Sequence, residues 1–239
     1  MSTSEPVLQV EGLNAFYGRA QALFDVGLNV HRGEVVALLG RNGAGKSTTM
    51  KALMGLLPHT RGKVLLRGQD ISAVQPHRIA RMGMGYVPEE RRIFSDLSVL
   101  QNLEVGRQPP RVDAVNWSPE TLFALFPNLG EMPHRAGAQM SGGEQQMLTV
   151  ARTLMGNPYL ILLDEPSEGV APVIVAQMAQ MILQLKRAGM SILLSEQNLH
   201  FAAQVSDRAY VLENGHVRHQ ASMAQLAADE TVRRTYLGL

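Results

Sequence analysis

The stretch Gly40-Arg41-Asn42-Gly43-Ala44-Gly45-Lys46-Ser47-Thr48 constrains this chain more than any other. It follows an apolar run, Val35-Val36-Ala37-Leu38-Leu39, and leads into a segment with Met50, Leu53, Met54 and Leu57 at helical spacing. Strand, glycine-rich loop and helix together are the context that the GxxxxGK[ST] phosphate loop requires. Backbone N–H groups must turn inward and approach phosphate oxygens closely. Gly40, Gly43 and Gly45 allow this without a Cβ in the way. The helix starting after Gly45 adds the positive end of its dipole. Lys46 offers an ammonium to the β- and γ-phosphates, and the Ser47 hydroxyl is suited to ligate Mg²⁺.

A chain of 239 residues, 45% of them hydrophobic, predicts one large α/β domain with room for a subdomain. The net charge is +1 and no basic run tracks a nucleic acid, so a nucleic-acid partner is not expected. There is no cysteine, which excludes disulfides and thiolate metal sites and fits a reducing compartment. Met1-Ser2-Thr3-Ser4-Glu5-Pro6 has neither the positive nor the apolar region of a signal peptide. No apolar stretch approaches the roughly 18 residues of a membrane span. The expectation is a soluble, cytoplasmic protein whose membrane role, if any, runs through partners.

Along the chain, residues 7–10, 13–17 and 23–30 read as strands, with a turn at 31–34 before the strand of the phosphate loop. Residues 63–67 read as a strand, Gly68-Gln69-Asp70 as a turn, Pro76 to Met82 as a helix with proline in its first turn, and 83–87 as a strand. From Ser98 to Leu129 strand signals disappear. Helices are expected over 98–106 and 119–126, and Trp117 beside them reads as packing. The segment Gln139 to Gln146 opens a long helix whose buried face is Met147, Val150, Ala151 and Leu154; Asn157-Pro158 stops it. Tyr159 to Leu163 is apolar throughout, as a parallel strand covered on both faces should be. Ile174, Met178, Met181 and Leu185 mark the next helix. Residues 191–194 form another buried strand, followed by strands near 209–212 and 216–218 and short terminal helices. This alternation predicts a doubly wound sheet with its ligand site at the carboxyl ends of the strands.

Three further places carry chemistry. Asp164 ends a buried strand, where a carboxylate can hold Mg²⁺ through its hydration shell. Glu165 beside it can polarise the water that attacks a γ-phosphate. Asp-Glu at a strand end is also what a solvated turn looks like, and the phosphate loop upstream favours the chemical reading. Ser141-Gly142-Gly143 at a helix start is a second anion site of N–H groups and a hydroxyl. With Glu144 the same serine makes a capping box, and the two readings are compatible. Tyr17 reads either as a half-buried strand aromatic or as a platform for the adenine face.

In this order and spacing, Gly40 to Thr48, Ser141 to Gln145 and Ile161 to Pro166 resemble the Walker A, signature and Walker B motifs of ABC-type ATPases. The signature is the most specific of the three, and the resemblance covers essentially the whole chain. It implies an α/β phosphate-loop NTPase core, RecA-like, with a mixed sheet, an antiparallel β part and an inserted helical subdomain. The chain would be a single domain, 1–239, with its core at about 1–90 and 156–239 and the helical part at about 91–155. In that family the signature of one subunit caps the γ-phosphate held by the phosphate loop of another, so two ATP molecules lie between head-to-tail subunits. The resemblance therefore assigns ATP contacts to Tyr17, to Gly40, Arg41, Asn42, Gly43, Ala44, Gly45, Lys46, Ser47 and Thr48, and to Ser141, Gly142, Gly143 and Glu144. Three positions depart from the commonest pattern. Glu89 stands at the usual Q-loop glutamine and still offers oxygen to Mg²⁺. Gln197 stands at the usual switch histidine; it cannot ionise but can donate a hydrogen bond to the phosphate. Ala171 falls near a usual aspartate. The implied chemical set is Lys46, Glu165 and Gln197, with Ser47, Glu89 and Asp164 around Mg²⁺.

The departures narrow the resemblance. Val87-Pro88-Glu89 with Arg91 to Phe94, Met140 to Met147, Glu165 to Pro172, Glu196-Gln197-Asn198 and the ending Tyr236-Leu237-Gly238 closely resemble the LivF-type ATPases of branched-chain amino-acid importers. Such a subunit pairs with a second ATPase and drives two membrane-spanning permease subunits fed by a periplasmic solute-binding protein. It sits on the cytoplasmic face of the membrane through those permeases. Ser167-Glu168-Gly169 also resembles urea-importer relatives, and ATPases of lipid or lipopolysaccharide exporters look similar. ABC-type ATPases of DNA repair insert long coiled coils between the positions of Glu89 and Ser141, and this chain has no heptads there. A nucleotide-binding module without ATPase activity is a further alternative, which steady-state phosphate release would exclude.

Overall fold

The computed structural model describes residues 5–232 and 234–235; Met1 to Ser4 and the ending Tyr236-Leu237-Gly238 lie outside the described residues. In chain order the first half holds β1 (Leu8–Tyr17), β2 (Ala20–Val30), β3 (Val35–Leu39), α1 (Lys46–Leu53), β4 (His59–Leu66), β5 (Gln69–Asp70), α2 (Pro76–Met82) and β6 (Met84–Val87). Then come α3 (Val99–Gly106), α4 (Pro119–Leu125), α5 (Pro127–Gly130) and, after a single 3₁₀ turn, α6 (Gly142–Leu154). The rest is β7 (Leu160–Asp164), α7 (Pro172–Arg187), β8 (Ser191–Glu196), α8 (Leu199–Val205), β9 (Arg208–Glu213), β10 (His216–Ser222), α9 (Met223–Ala228) and α10 (Glu230–Val232).

Side-chain patterning sorts the strands into two sheets. The alternating strands pair antiparallel in the order β2-β1-β4-β5. The apolar strands β3, β6, β7, β8 and β9, with the polar β10, form a sheet ordered β10-β9-β3-β8-β7-β6, parallel from β9 to β6, with β10 antiparallel at its edge. Every residue of β3, β7 and β8 is buried, as expected where both faces are covered. One core cluster joins the two sheets, with Leu8, Leu13 and Leu28 packed in the same body as Leu38, Met50 and Leu160. A second lies under the helices, where Leu103, Leu122 and Leu148 meet Leu163 and Ile182.

Four details differ from the sequence expectation. Residues 7–10 and 13–17 belong to one strand, β1, with a register shift at Gly12, whose φ of +61° is the left-handed conformation a bulge needs. Helix α1 ends at Leu53 and does not reach Leu57. Gly55, at φ +66°, donates its N–H to Ala52 O, and Leu56 donates to Lys51 O; this pair of bonds closes the helix. Gln69 and Asp70, expected as a turn, pair with Leu66 and Leu65. Helix α8 has no counterpart in the sequence expectation; Asn198 caps it by accepting the Phe201 N–H.

Between β6 and β7 the described residues form helices and no strand. Their starts are set locally, because Ser98 with Gln101, Ser118 with Thr121 and Ser141 with Glu144 each close a complete capping box. Trp117 packs on the second core cluster as expected, and its backbone N–H donates to Asn157 Oδ1. The loop leading from β6 to α3 is held by Asn102, which is fully buried. Its Oδ1 accepts from the Phe94 N–H at 3.0 Å, and its Nδ2 donates to the carbonyls of Phe94, Leu97 and Ser98 at 3.0, 3.2 and 3.0 Å. Replacing Asn102 with Ala takes the acceptor from the Phe94 N–H and one donor from each of three carbonyls that keep a backbone partner, so Asn102→Ala should cost about 1–2 kcal/mol in urea unfolding. A loss below about 0.5 kcal/mol would show that the loop does not depend on this clasp.

Candidate functional site

The phosphate loop runs from the carboxyl end of β3 into α1. Its shape depends on two glycines. A Cβ on Gly40 would lie 2.5 Å from Leu212 O, so no side chain fits there. Gly45 adopts φ +109° and caps α1 without a side-chain bond, which leaves the first N–H groups of the helix to an anion. The loop is tied from the far edge of the sheet as well. In the turn between β9 and β10, the Gly215 N–H donates to Ala44 O at 2.9 Å, and Gly215 O accepts from the Phe24 N–H at 2.9 Å. The loop, Lys46, Thr48 and Glu165 border a cavity of about 360 Å³ whose far wall includes Phe24 and Asn214.

Lys46 is 3% exposed. Its Nζ donates to Gly40 O at 2.8 Å and Arg41 O at 3.1 Å and forms an ion pair with Glu165 Oε1 at 3.0 Å. Asp164, at the end of β7, is buried and held by three hydroxyls. Its Oδ1 accepts from Ser47 Oγ at 3.0 Å and Ser195 Oγ at 2.6 Å, and its Oδ2 from Tyr86 OH at 3.1 Å. Burial first, and then the Asp164 charge, push the Tyr86 phenol up, so it stays a neutral donor. A hydroxyl and a carboxylate beside N–H groups suited to phosphate fit Mg²⁺, which fills its remaining positions with water and phosphate oxygens. Among the described residues no cluster of three or more His, Cys, Asp or Glu is arranged to hold a metal alone.

Glu165 has φ +47°, rare for a residue with a side chain, and its N–H bonds to Ser195. Burial opposes its charge, but a hydrogen bond from Glu168 and the Lys46 ammonium outweigh it and hold the carboxyl below its usual range. Glu168 is the other half of that bond. Sharing it pushes Glu168 up to about 7, with burial and the charges of Glu165 and Glu89 adding and Lys46 opposing. Glu196 is buried at the end of β8. Its two oxygens accept from the Ser167 and Asn198 N–H groups at 3.1 and 3.2 Å, which pins the turn after β7. Burial raises its pKa.

The structure thus brings Gly40, Gly45, Lys46, Ser47, Asp164 and Glu165 together. Tyr17 stands at the rim, 49% exposed, with its OH 3.4 Å from Thr48 Oγ1. Arg41, Asn42 and Gly43 are exposed on the loop. Glu89 is exposed and bonds neither Ser47 nor Asp164; its charge reaches Glu168. Gln197 is exposed just past β8. The Ser141 turn stands apart: no hydrogen bond among the described residues joins it to the phosphate loop. Ser141 is exposed, its N–H donates to Glu144 Oε2 at 2.7 Å, and the Glu144 N–H reaches Ser141 Oγ at 3.4 Å, so the capping-box reading holds. The glycines after it are covered, since a Cβ on Gly142 would run into the Arg91 guanidinium and one on Gly143 would meet the Ile174 side chain at 2.7 Å. Tyr86, Ser195, Glu168 and Glu196 carry no signal of a site role in the sequence. Tyr86 and Ser195 are revealed only by strand pairing, which sets Asp164 beside Ser195 and β6 beside β7.

Residues 23–168 match the protein family described as ABC transporter. The chain is 41% identical over 232 residues to the high-affinity branched-chain amino acid transport ATP-binding protein BraG of Pseudomonas aeruginosa, covering 97% of this chain and all of that one. It is 36% identical over 238 residues to the lipopolysaccharide export system ATP-binding protein LptB of Escherichia coli K12, covering 97% of each. Among solved structures, a nucleotide-free ATP-binding cassette from an ABC transporter superposes with a TM-score of 0.81 at 26% identity, over 95% of this chain and 97% of that one. The ADP conformation of such a cassette gives 0.81 at 25% identity, over 96% and 97%.

The Glu165–Glu168 bond has a pH signature. A folded-state pKa raised to about 7 from 4.5 means that the stability Glu168 contributes is present in acid and is lost as pH rises through about 7. Glu168→Gln supplies a permanent donor in place of that proton. The melting temperature of Glu168→Gln relative to wild type should therefore be higher at about pH 8 than at about pH 5. A difference that does not change with pH would remove the shared proton.

Proposed function

We propose that this chain, which belongs to the ABC transporter ATPase family, is the ATP-hydrolysing subunit of a branched-chain amino-acid importer. The observation that carries the reading is the meeting of Lys46, Ser47, Asp164 and Glu165 at the ends of β3 and β7. The loop N–H groups and Lys46 would hold the β- and γ-phosphates, and Lys46 would leave Glu165 to do so. Glu165, released from Lys46, would accept a proton from the attacking water. Ser47 and Asp164 would hold Mg²⁺, with Glu89 approaching from the loop after β6. When bound, Mg²⁺ would supply charge neutralisation at the phosphates. Tyr17 would stack on the adenine and Gln197 would donate to the γ-phosphate.

The Ser141-Gly142-Gly143-Glu144 turn, whose serine is exposed, would serve the phosphate loop of a second ATPase subunit, a copy or a relative, so that ATP joins two chains and hydrolysis parts them. We assign residues 91–155 to a helical subdomain within one domain spanning 1–239. That part, with the segment Glu89 to Phe94, would pass the motion to two membrane permease subunits served by a periplasmic solute-binding protein, placing this chain on the cytoplasmic face of the membrane. Among the described residues no helix is long and apolar enough to cross a membrane. A second reading, an ATPase of a lipopolysaccharide exporter, is supported by the 36% identity to LptB. The higher identity to BraG favours import.

Glu165→Gln should keep ATP binding and lower hydrolysis by about 10²–10⁴; turnover within threefold of wild type would remove Glu165 as the base. Lys46→Ala should lose ATP binding in titration calorimetry, and unchanged affinity would contradict the site. Co-purification from membranes decides the transport class: permeases together with a solute-binding protein support import, and a lipopolysaccharide-handling complex overturns it.

A further inference from the structure

Of the three hydroxyls that hold Asp164, Ser47 belongs to the phosphate loop and Ser195 is fully buried on β8, next to β7 in the sheet. Tyr86 is different. It lies on β6, the edge strand of the parallel sheet, and its half-buried side chain also lines an open groove of about 520 Å³ with Met84, Pro88, Arg92, Phe94 and Arg152. One end of this residue therefore touches the metal-bearing carboxylate while its flank faces the outside of the molecule.

We propose that Tyr86 is a positioning residue for the Mg²⁺ site, its O–H fixing Asp164 Oδ2 so that Oδ1 is turned to Ser47. The proposal rests on the nucleotide-site reading given above. The terminal torsion of an aspartate is soft and roughly twofold, so a carboxylate with donors on one oxygen alone can swing. Tyr86 supplies the donor on the second oxygen and removes that freedom. Partners that orient a ligand in this way are typically worth a 10–100-fold change in metal affinity. A tyrosine that only satisfied a buried carboxylate would affect stability and leave the metal response alone.

Tyr86→Phe deletes the hydroxyl and keeps the ring. ATP binding to the full-length protein is followed by calorimetry, first in EDTA and then at increasing Mg²⁺. We expect ATP affinity in EDTA to stay within twofold of wild type, and the Mg²⁺ concentration that half-saturates the enhancement to rise about tenfold. A Mg²⁺ requirement within twofold of wild type in Tyr86→Phe would overturn the proposal. If the Phe variant does not fold, a wild-type Mg²⁺ response in Tyr86→Leu and Tyr86→Gln alike overturns it. Failure of the underlying reading looks different, because wild type itself would then show no Mg²⁺-enhanced ATP binding, or Lys46→Ala would bind as wild type does.

Discussion

A buried ammonium facing a buried carboxylate, Lys46 against Glu165 at 3.0 Å, is the contact on which the rest of the site depends. Each charge alone would be costly in this setting, so each requires the other until something better arrives. That arrangement needs two backbone segments far apart in the chain to meet at the carboxyl end of one sheet. Parallel pairing of β3 and β7 with β8 between them provides the meeting, and the fully buried strands hold it. The left-handed backbone at Glu165 turns its side chain back over the phosphate loop. An anion with several oxygens, offered to Lys46, competes directly with Glu165. On the proposed reading, filling the site would also free Glu165.

The carboxylates around that pair form a graded set. Glu165 is held ionised by Lys46 and Glu168, Glu168 is held protonated toward neutral pH by Glu165, and Glu196 is used as an acceptor for two backbone N–H groups. Environment rather than residue type separates the roles. The turn from Glu165 to Glu168 is fastened to β8 and to the phosphate-loop lysine.

Motifs that are continuous along the chain are legible from the amino-acid order alone. The glycine loop, the Asp164-Glu165 strand end and the Ser141 cap all rest on short-range chemistry, namely positive φ, strand burial and a serine with a glutamate three residues on. The helix Pro76 to Met82 and the buried strands follow from proline placement and apolar runs for the same reason. What cannot be read that way depends on strand order. Tyr86 and Ser195 reach Asp164 because β6, β7 and β8 are neighbours, and nothing local in Met84-Gly85-Tyr86-Val87 or Ser191 to Glu196 announces it. The apolar spacing of α1 misleads because it continues to Leu57 while the Gly55 turn stops the helix. Helix α8 is as short as α2 and α4 but lacks the proline in the first turn that marks those two.

The Gly215 tie has a consequence for how the protein is made. The phosphate loop leaves the ribosome early, yet one of the bonds that shapes it comes from a hairpin near the other end of the chain. Synthesis proceeds from the amino end, with segments collapsing as they emerge. A nascent chain therefore carries the whole glycine motif through most of translation without the brace at Ala44. The finished shape of the loop is therefore reached only once the carboxyl-terminal hairpin is in place.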